Sequence, residues 1–129
     1  VVVLLAGTND IAGNTGYTTF DQIVANISNM VAQAQANHIR VVLCSVLPAY
    51  DYPWRPGLQP AAKIVALNQR LQQLAAERDC VYVDYFNAMA DQRNGLRAGL
   101  GDDGVHPNAA GYQIMEPLVE RGIAEALKK

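Results

Sequence analysis

Three short runs of β-branched and aliphatic residues constrain the fold of this chain more than any other feature. They cover residues 1–6 (VVVLLA), 41–46 (VVLCSV) and 81–83 (VYV). None of them alternates between apolar and polar side chains, and continuous apolar runs are typical of strands that are covered on both faces. The sequence therefore predicts three buried strands in a sheet with helices on both sides.

Segments with helical periodicity follow each of these strands. The first helix is predicted to begin at Thr19, because Thr19 and Gln22 form a capping-box pattern, and the second at Pro60, which suits a first turn. The third is predicted from near Asn108 to about Leu127. The predicted buried faces are Phe20, Ile23, Val24, Ile27, Met30, Val31 and Ala34 in the first helix, Ile64, Leu67, Leu71 and Leu74 in the second, and Met115, Leu118, Val119, Ile123 and Leu127 in the third.

Strands that alternate with helices predict an α/β fold with a parallel sheet and right-handed crossovers. Three strands and three main helices are expected to form a single domain over residues 1–129, a length that can bury a core. Pro117 is expected to kink or split the last helix. In such sheets, active sites gather beyond the carboxyl ends of the strands.

The first strand is expected to need a cover. The chain starts at Val1, directly within the apolar run, and a strand of this kind left at a sheet edge would favour aggregation. Earlier strands of the same protein, another chain or contacts in an oligomer would each cover it. The sequence does not choose among these three.

Composition excludes several classes of partner. Half of the residues are hydrophobic and 17% are charged, as in ordinary globular proteins. The net charge is −2, and Lys and Arg never form a block, so no nucleic-acid footprint is present. No apolar stretch approaches the roughly 20 residues of a membrane span.

Cys44 and Cys80 lie in strand-like runs and are interpreted as buried free thiols. The compartment stays open.

The first chemically suggestive motif is Gly7-Thr8-Asn9-Asp10, directly after the first strand. A side-chain amide at the carboxyl end of a strand is well placed to donate N–H hydrogen bonds to a developing oxyanion. Gly, Asn and Asp are also the common residues of plain turns. On its own this motif leaves both interpretations open.

The second motif is Asp103-Gly104-Val105-His106-Pro107, just before the last helix. An Asp three residues before a His can fold back and accept the imidazole Nδ1–H, which leaves Nε2 free as a base. The alternative is a solvated loop His beside an Asp that caps a turn. His38, at the polar end of the first helix, is interpreted as a surface residue.

Together, GTND after a strand and DGVHPNAAGY before the terminal helix resemble the SGNH (GDSL-type) hydrolase family. The segment SVLPAYDYPWRPGLQPAAKIVALNQRL and the strand end VYVDYF are also similar, most of all to the bacterial acylhydrolase branch. The resemblance implies a flavodoxin-like, three-layer α/β/α fold and hydrolysis of small esters: short acyl esters, acetylated sugars or lipids. It implies that Gly7, Asn9 and Asp10 match the third conserved block, with Asn9 as oxyanion donor, and that Asp103 and His106 are the acid and base.

The chain departs from the family in one respect. The first block, a Gly-Asp-Ser motif that carries the nucleophilic serine, and the glycine of the second block are absent, and both normally precede the third block. The resemblance therefore implies the C-terminal portion of the fold, with a sheet that is incomplete on its N-terminal side. The only serines are Ser28, within a helical segment, and Ser45, at the end of the second strand, and no sharp Gly-flanked turn presents either. We predict that this chain alone is inactive or weakly active.

A Pro-rich loop after the second strand carries Tyr50, Tyr52, Trp54 and Arg55. Loops at this edge often shape substrate pockets, and aromatic faces suit sugar rings or acyl chains. Packing of the same aromatics into the core is an equal alternative. Asp84, after the third strand, is interpreted as a helix N-cap.

Two other functions stay open. A non-catalytic flavodoxin-like binding or assembly module would use the exposed first strand as its interaction surface. Metal-dependent hydrolysis through Asp10, Asp103 and His106 lacks a ligand-spacing motif. Neither GxGxxG nor a P-loop is present, so the sequence indicates no nucleotide, and we expect no cofactor and no metal.

Overall fold

The computed structural model describes residues 1–129, and its elements follow the predicted alternation of strands and helices. In chain order they are β1 (Val2–Leu4), α1 (Thr8–Ala12), α2 (Phe20–Ala36), β2 (Val41–Cys44), α3 (Ala61–Glu77), β3 (Val81–Val83), α4 (Tyr85–Met89) and α5 (Ala109–Ala126). The three predicted strands and three main helices are all present. The α/β prediction is confirmed.

The sheet is parallel throughout, and β2 lies at its centre in the order β1-β2-β3. Successive side chains of β2 point to opposite faces, as the pleat of a strand requires. Val41 and Leu43 pack into the core formed with α2 and α3, whereas Val42 and Cys44 pack into the core formed with α4 and α5. Helices therefore cover both faces of β2, which gives the three layers that the family resemblance implies.

The start of α2 is the predicted capping box. The Thr19 side chain accepts a hydrogen bond from the Gln22 backbone N–H, and the Gln22 side chain accepts one from the Thr19 N–H. The buried face is narrower than the sequence predicts: Ile23, Ile27 and Val31 are buried, and Phe20 and Met30 are exposed. All four predicted core residues of α3 are buried (Ile64, Leu67, Leu71 and Leu74).

Helix α5 is continuous through Pro117, so the helix is not split there. Pro117 lies on the exposed face, where the carbonyl that loses its hydrogen bond can be hydrated. Met115 is buried as predicted, but Leu127, at the C-cap, is exposed. Gly122 lets the helix approach the sheet closely, since a Cβ there would lie 2.5 Å from Cγ2 of Val83.

Two five-residue helices, α1 and α4, were not predicted, and each begins within four residues of the end of a strand. Asp84 is the N-cap of α4, and its carboxylate accepts the Asn87 N–H at 3.0 Å, which confirms the predicted cap. Helix α1 follows Gly7, whose φ of 131° is not tolerated by other residues. These helices turn the chain sharply at the carboxyl edge of the sheet.

One face of β1 is uncovered. Val2 and Leu4 pack against the core shared with α2 and α3, while Val1, Val3 and Leu5 are exposed. Helix α5 packs mainly on β2 and β3.

None of the helices combines the length and hydrophobicity needed to cross a bilayer. Cys44 is buried, Cys80 is half-buried, and both are free thiols.

Candidate active site

The two predicted loops meet at the carboxyl edge of the sheet and form one cleft of about 330 Å³. Asn9, from the segment after β1, and His106, from the loop before α5, both line it although 97 positions separate them in the sequence. The remaining lining residues are Leu5, Ala6, Gly7, Thr8, Asp10, Val46, Leu47, Val105 and Pro107. The cleft therefore combines a carboxamide and an imidazole within a partly apolar wall.

Asp103 makes three hydrogen bonds within its own loop, and two of them are with His106. Its Oδ2 lies 2.6 Å from Nδ1 of the imidazole, and its Oδ1 accepts the backbone N–H groups of Val105 and His106, each at 2.8 Å. The hydrogen bonds from His106, from its ring first and then its backbone, lower the pKa of the Asp103 carboxyl to about 2. A carboxylate at Nδ1 fixes the proton there, so Nε2 is free to accept a proton.

Asn9 lies in the first turn of α1, and Gly7 sets the position of that turn. Besides its positive φ, Gly7 packs against the core so closely that a Cβ would lie 3.0 Å from both Leu67 and Val46 side chains. Asp10, on the next position of α1, makes no side-chain hydrogen bond and lines the same cleft. Together with Asp103 and His106 it does not form a cluster of three potential metal ligands.

A larger cleft of about 530 Å³ lies on the other side of α1, between this helix, the start of α2 and the loop after β2. It is lined by Arg55 and Lys63, among others, but by neither Asn9 nor His106. The smaller cleft is therefore the one that both Asn9 and His106 line.

The aromatic loop divides between core and cleft. Tyr52, predicted to shape a substrate pocket, is only 1% exposed and stacks under Trp54 with ring centroids 5.0 Å apart. Trp54 is 42% exposed, and the centroid of its ring lies 6.0 Å from the centroid of the His106 ring. Arg55 donates to the Gly13 carbonyl, and Tyr50 packs against the Arg93 guanidinium, so neither lines the cleft. Of the four predicted residues, only Trp54 borders His106.

Two asparagines that were not predicted as site residues make hydrogen bonds at this edge of the sheet. Asn14 bridges Trp54 and Asn9 through its carboxamide. Asn68, on the buried face of α3, pairs with both backbone groups of Val46, accepting the N–H at 2.7 Å and donating to the carbonyl at 3.0 Å. A polar residue within the apolar stripe of α3 was the signal for Asn68. No sequence signal marks Asn14.

Neither serine borders the cleft. Ser45 is fully buried, and its Oγ accepts the Phe86 N–H at 2.9 Å, so it has a structural role. Ser28 lies within α2. The arrangement thus contains an imidazole nitrogen that can accept a proton, a carboxylate bound to the other ring nitrogen, and a carboxamide that can donate N–H hydrogen bonds.

A parallel α/β sheet with an Asp–His pair and an Asn at its carboxyl edge is the arrangement that the resemblance to the GDSL-type family implies. The model of the GDSL-like lipase/acylhydrolase family matches residues 1–114, and the chain belongs to this family.

Solved structures agree with the family assignment. A GDSL-like lipase from Bacteroides thetaiotaomicron is 41% identical, with a TM-score of 0.93, over 98% of this chain and 62% of its own. A candidate acylhydrolase from Bacteroides fragilis is 41% identical, with the same TM-score, over 97% of this chain and 61% of its own. An acetylxylan esterase from Geobacillus stearothermophilus, 20% identical with a TM-score of 0.70 to 0.71, shares the fold over 94% of this chain and 57% of its own. No curated protein matches.

The chain spans about three fifths of the length of the two Bacteroides proteins. The family model and these structures confirm the resemblance to the SGNH family and the α/β fold that it implies. The family is one of hydrolases.

Proposed function

We propose that this chain supplies the base, the acid and an oxyanion donor of a serine ester hydrolase. One observation carries the proposal: Asn9 and His106 line a single cleft, and Asp103 holds the imidazole through a 2.6 Å contact at Nδ1. This arrangement leaves Nε2 as the only ring nitrogen available as a base.

The mechanism follows from this arrangement. A serine hydroxyl attacks the acyl carbon of the ester while Nε2 of His106 takes its proton, and the Asp103 carboxylate stabilises the imidazolium. The carboxamide N–H of Asn9 stabilises the oxyanion of the tetrahedral intermediate. His106 then returns the proton to the leaving alcohol, and water releases the acyl group by the same steps.

The serine is proposed to lie outside these 129 residues, on a segment that carries the Gly-Asp-Ser block of the family. Such a segment would cover the exposed face of β1, formed by Val1, Val3 and Leu5. Leu5 belongs both to this face and to the cleft, so a strand or helix packed there would reach the cleft directly. The chain by itself is therefore expected to be inactive or barely active.

The proposed substrate is a small ester. Leu5, Val46, Leu47, Val105 and Pro107 give the cleft an apolar side that suits a short acyl group. The exposed indole of Trp54 beside His106 offers a flat surface of the kind on which sugar rings stack. An acetylated sugar satisfies both features, and an acetylxylan esterase is among the proteins of similar fold.

The test adds the proposed missing segment. The part of the Bacteroides thetaiotaomicron protein that precedes its matched region is joined ahead of Val1, and hydrolysis of a short acyl ester is measured for this fusion and for the chain alone. We expect turnover in the fusion only. His106→Asn is expected to lower kcat by about 10²–10⁴-fold, the usual contribution of a positioned base.

His38→Asn is the matched control. His38 is exposed and has a φ of 58°, a conformation that Asn tolerates, so the substitution is expected to leave turnover unchanged. Equal turnover by the chain alone and the fusion would contradict the proposal, as would full activity of the His106→Asn fusion.

The uncovered face of β1 also favours a second candidate, a non-catalytic module that binds a partner through this strand. The two functions differ in the fusion. If β1 serves assembly only, covering it abolishes association and produces no esterase activity.

A further inference from the structure

We propose that Asn14, fixed by Trp54, sets the orientation of the Asn9 carboxamide so that its N–H, and not its oxygen, faces the cleft. Asn14 is then a positioning residue that acts through Asn9. This inference rests on the proposed role of Asn9 as oxyanion donor.

A carboxamide presents this problem because its two ends are similar in size and opposite in chemistry. The NH₂ group donates hydrogen bonds, and the oxygen accepts them. The terminal torsion of Asn is broad and roughly two-fold, so the side chain alone does not select an orientation. An oxygen turned toward the cleft would repel a developing oxyanion, whereas an N–H would stabilise it.

Trp54 determines which end of each carboxamide donates and which end accepts in the contacts from Trp54 to Asn14 and from Asn14 to Asn9. Its indole Nε1–H can only donate, and it lies 2.9 Å from Oδ1 of Asn14. If Asn14 were reversed, its NH₂ group would face the indole N–H, and two donors would meet. The Asn14 oxygen is therefore held on the Trp54 side.

The orientation of Asn14 then determines that of Asn9. Nδ2 of Asn14 lies 2.9 Å from Oδ1 of Asn9, so the Asn9 oxygen is engaged away from any substrate. Nδ2 of Asn9 has no hydrogen-bond acceptor within the protein, and Asn9 lines the cleft with His106. In this relay of Trp54, Asn14 and Asn9, the N–H group that stays free is that of Asn9. It is the donor that the proposed chemistry requires.

The backbone holds the members of the relay in place. The Asn14 N–H donates to the Asn9 carbonyl at 3.0 Å, just after the left-handed Gly13 that ends α1. On the other side, Trp54 stacks on buried Tyr52, with 19° between the ring planes. Both ends are anchored independently of any ligand.

Asn14→Asp tests the relay with little change of shape. The new carboxylate can still accept from Trp54, but it has no N–H for the Asn9 oxygen. Its charge attracts the Asn9 NH₂ group and so draws the donor away from the cleft. The matched control is Asn26→Asp, which makes the same charge change at an exposed α2 position whose side chain makes no hydrogen bond.

The first measurement is NMR of the 129-residue chain, which needs no activity. In the wild type we expect a trans-hydrogen-bond coupling from Nδ2 of Asn14 to Cγ of Asn9, and a slowly exchanging Trp54 indole proton. In Asn14→Asp the coupling is expected to reverse, from Nδ2 of Asn9 to the carboxylate carbon at position 14. A wild-type Asn9 that donates to Asn14 would overturn the inference.

The second measurement is turnover of the fusion that carries the serine segment. Removal of one oxyanion donor lowers kcat by about 10²–10³-fold, which bounds the effect. We expect Asn14→Asp to lower kcat by roughly 10-fold or more within that bound, with KM changed far less, and Asn26→Asp to change neither.

A double-mutant cycle shows whether Asn14 acts through Asn9. In an Asn9→Ala background, Asn14→Asp is expected to cause no further loss, and an independent additional loss would overturn the relay. If Asn9→Ala itself leaves kcat unchanged, the proposed function fails, while the NMR couplings still decide the orientation of the carboxamide.

Discussion

The carboxylate of Asp103 accepts two backbone N–H groups through one oxygen and the imidazole through the other. Because the two oxygens have different partners, one substitution can change the contact with the imidazole and keep the contacts with the backbone. Asp103→Asn can retain Oδ1 for the two backbone donors, but its NH₂ group would then confront the Nδ1–H of His106. Movement of the imidazole proton to Nε2 relieves this contact, because Nδ1 then accepts from the new NH₂ group.

We therefore expect Asp103→Asn to invert the neutral tautomer of His106 from Nδ1–H to Nε2–H. The ¹⁵N shifts of the two ring nitrogens in the 129-residue chain, at a pH where the ring is neutral, report the tautomer directly. Asp102→Asn is the control, because this neighbour is exposed and its side chain makes no hydrogen bond. Unchanged ring shifts in Asp103→Asn would show that Asp103 does not determine the tautomer.

The same carboxylate predicts a pH dependence of stability. The folded state lowers the pKa of Asp103 from 3.8 to about 2, so it favours the charged form. This contribution to the free energy of unfolding is complete above about pH 4 and is lost as the pH falls through 2. The stability difference between wild type and Asp103→Asn should therefore be smaller at pH 2 than at pH 4.

Denaturant unfolding at each pH measures that difference. The difference between wild type and Asp102→Asn serves as the reference, since it removes an acid of the same loop without the three contacts. A wild-type advantage over Asp103→Asn that persists undiminished at pH 2 would contradict the assignment.

At the scale of elements, Asn68 joins α3 to the segment after β2. Strand β2 ends at Cys44, and the Asn68 carboxamide pairs with both backbone groups of Val46, as a neighbouring strand would. Replacement by Leu would leave a buried N–H and a buried carbonyl without partners, and each such group costs about 1–3 kcal/mol.

We expect Asn68→Leu to lower the free energy of unfolding by at least about 1–3 kcal/mol. Chemical denaturation measures the change, and Gln69→Leu, at the adjacent exposed position, is expected to change stability by less than about 0.5 kcal/mol. Equal effects of the two substitutions would mean that the Val46 backbone finds other partners.

The main elements were predictable because each shows a full period of apolar residues. Ile64, Leu67, Leu71 and Leu74 define the buried face of α3, and all are buried. The width of a buried face was not predictable, since it depends on which neighbours cover the helix. This explains why Phe20 and Leu127, on the predicted faces, are exposed.

The candidate site was predictable only in part. Asp103 and His106 are three residues apart, so their contact follows from local chain geometry. Helix α1 is too short to show a period, and the contact of Asn14 with Trp54 joins positions 40 residues apart that no pattern links.

For the whole molecule, the uncovered face of β1 predicts self-association of the isolated chain. Exposed apolar edge strands pair with other chains unless a charge blocks them. We expect light scattering to give a mass above the 14.0 kDa of one chain, and Val3→Lys to restore a monomer.

Leu127→Lys is the control, because Leu127 is an exposed apolar residue at the C-cap of α5, a helix that packs mainly on β2 and β3. It should leave the association intact. A monomeric wild-type chain would show that β1 does not mediate self-association. A monomer in both variants would show that the association does not depend on β1 alone.

The order β1-β2-β3 repeats the order of the strands along the chain, with both crossovers completed within the 129 residues. A further strand can therefore pair along the open side of β1 without any existing register having to change. An ester hydrolase divided at this boundary would become competent only when its two pieces meet. Its rate of ester turnover would then report how tightly those pieces associate.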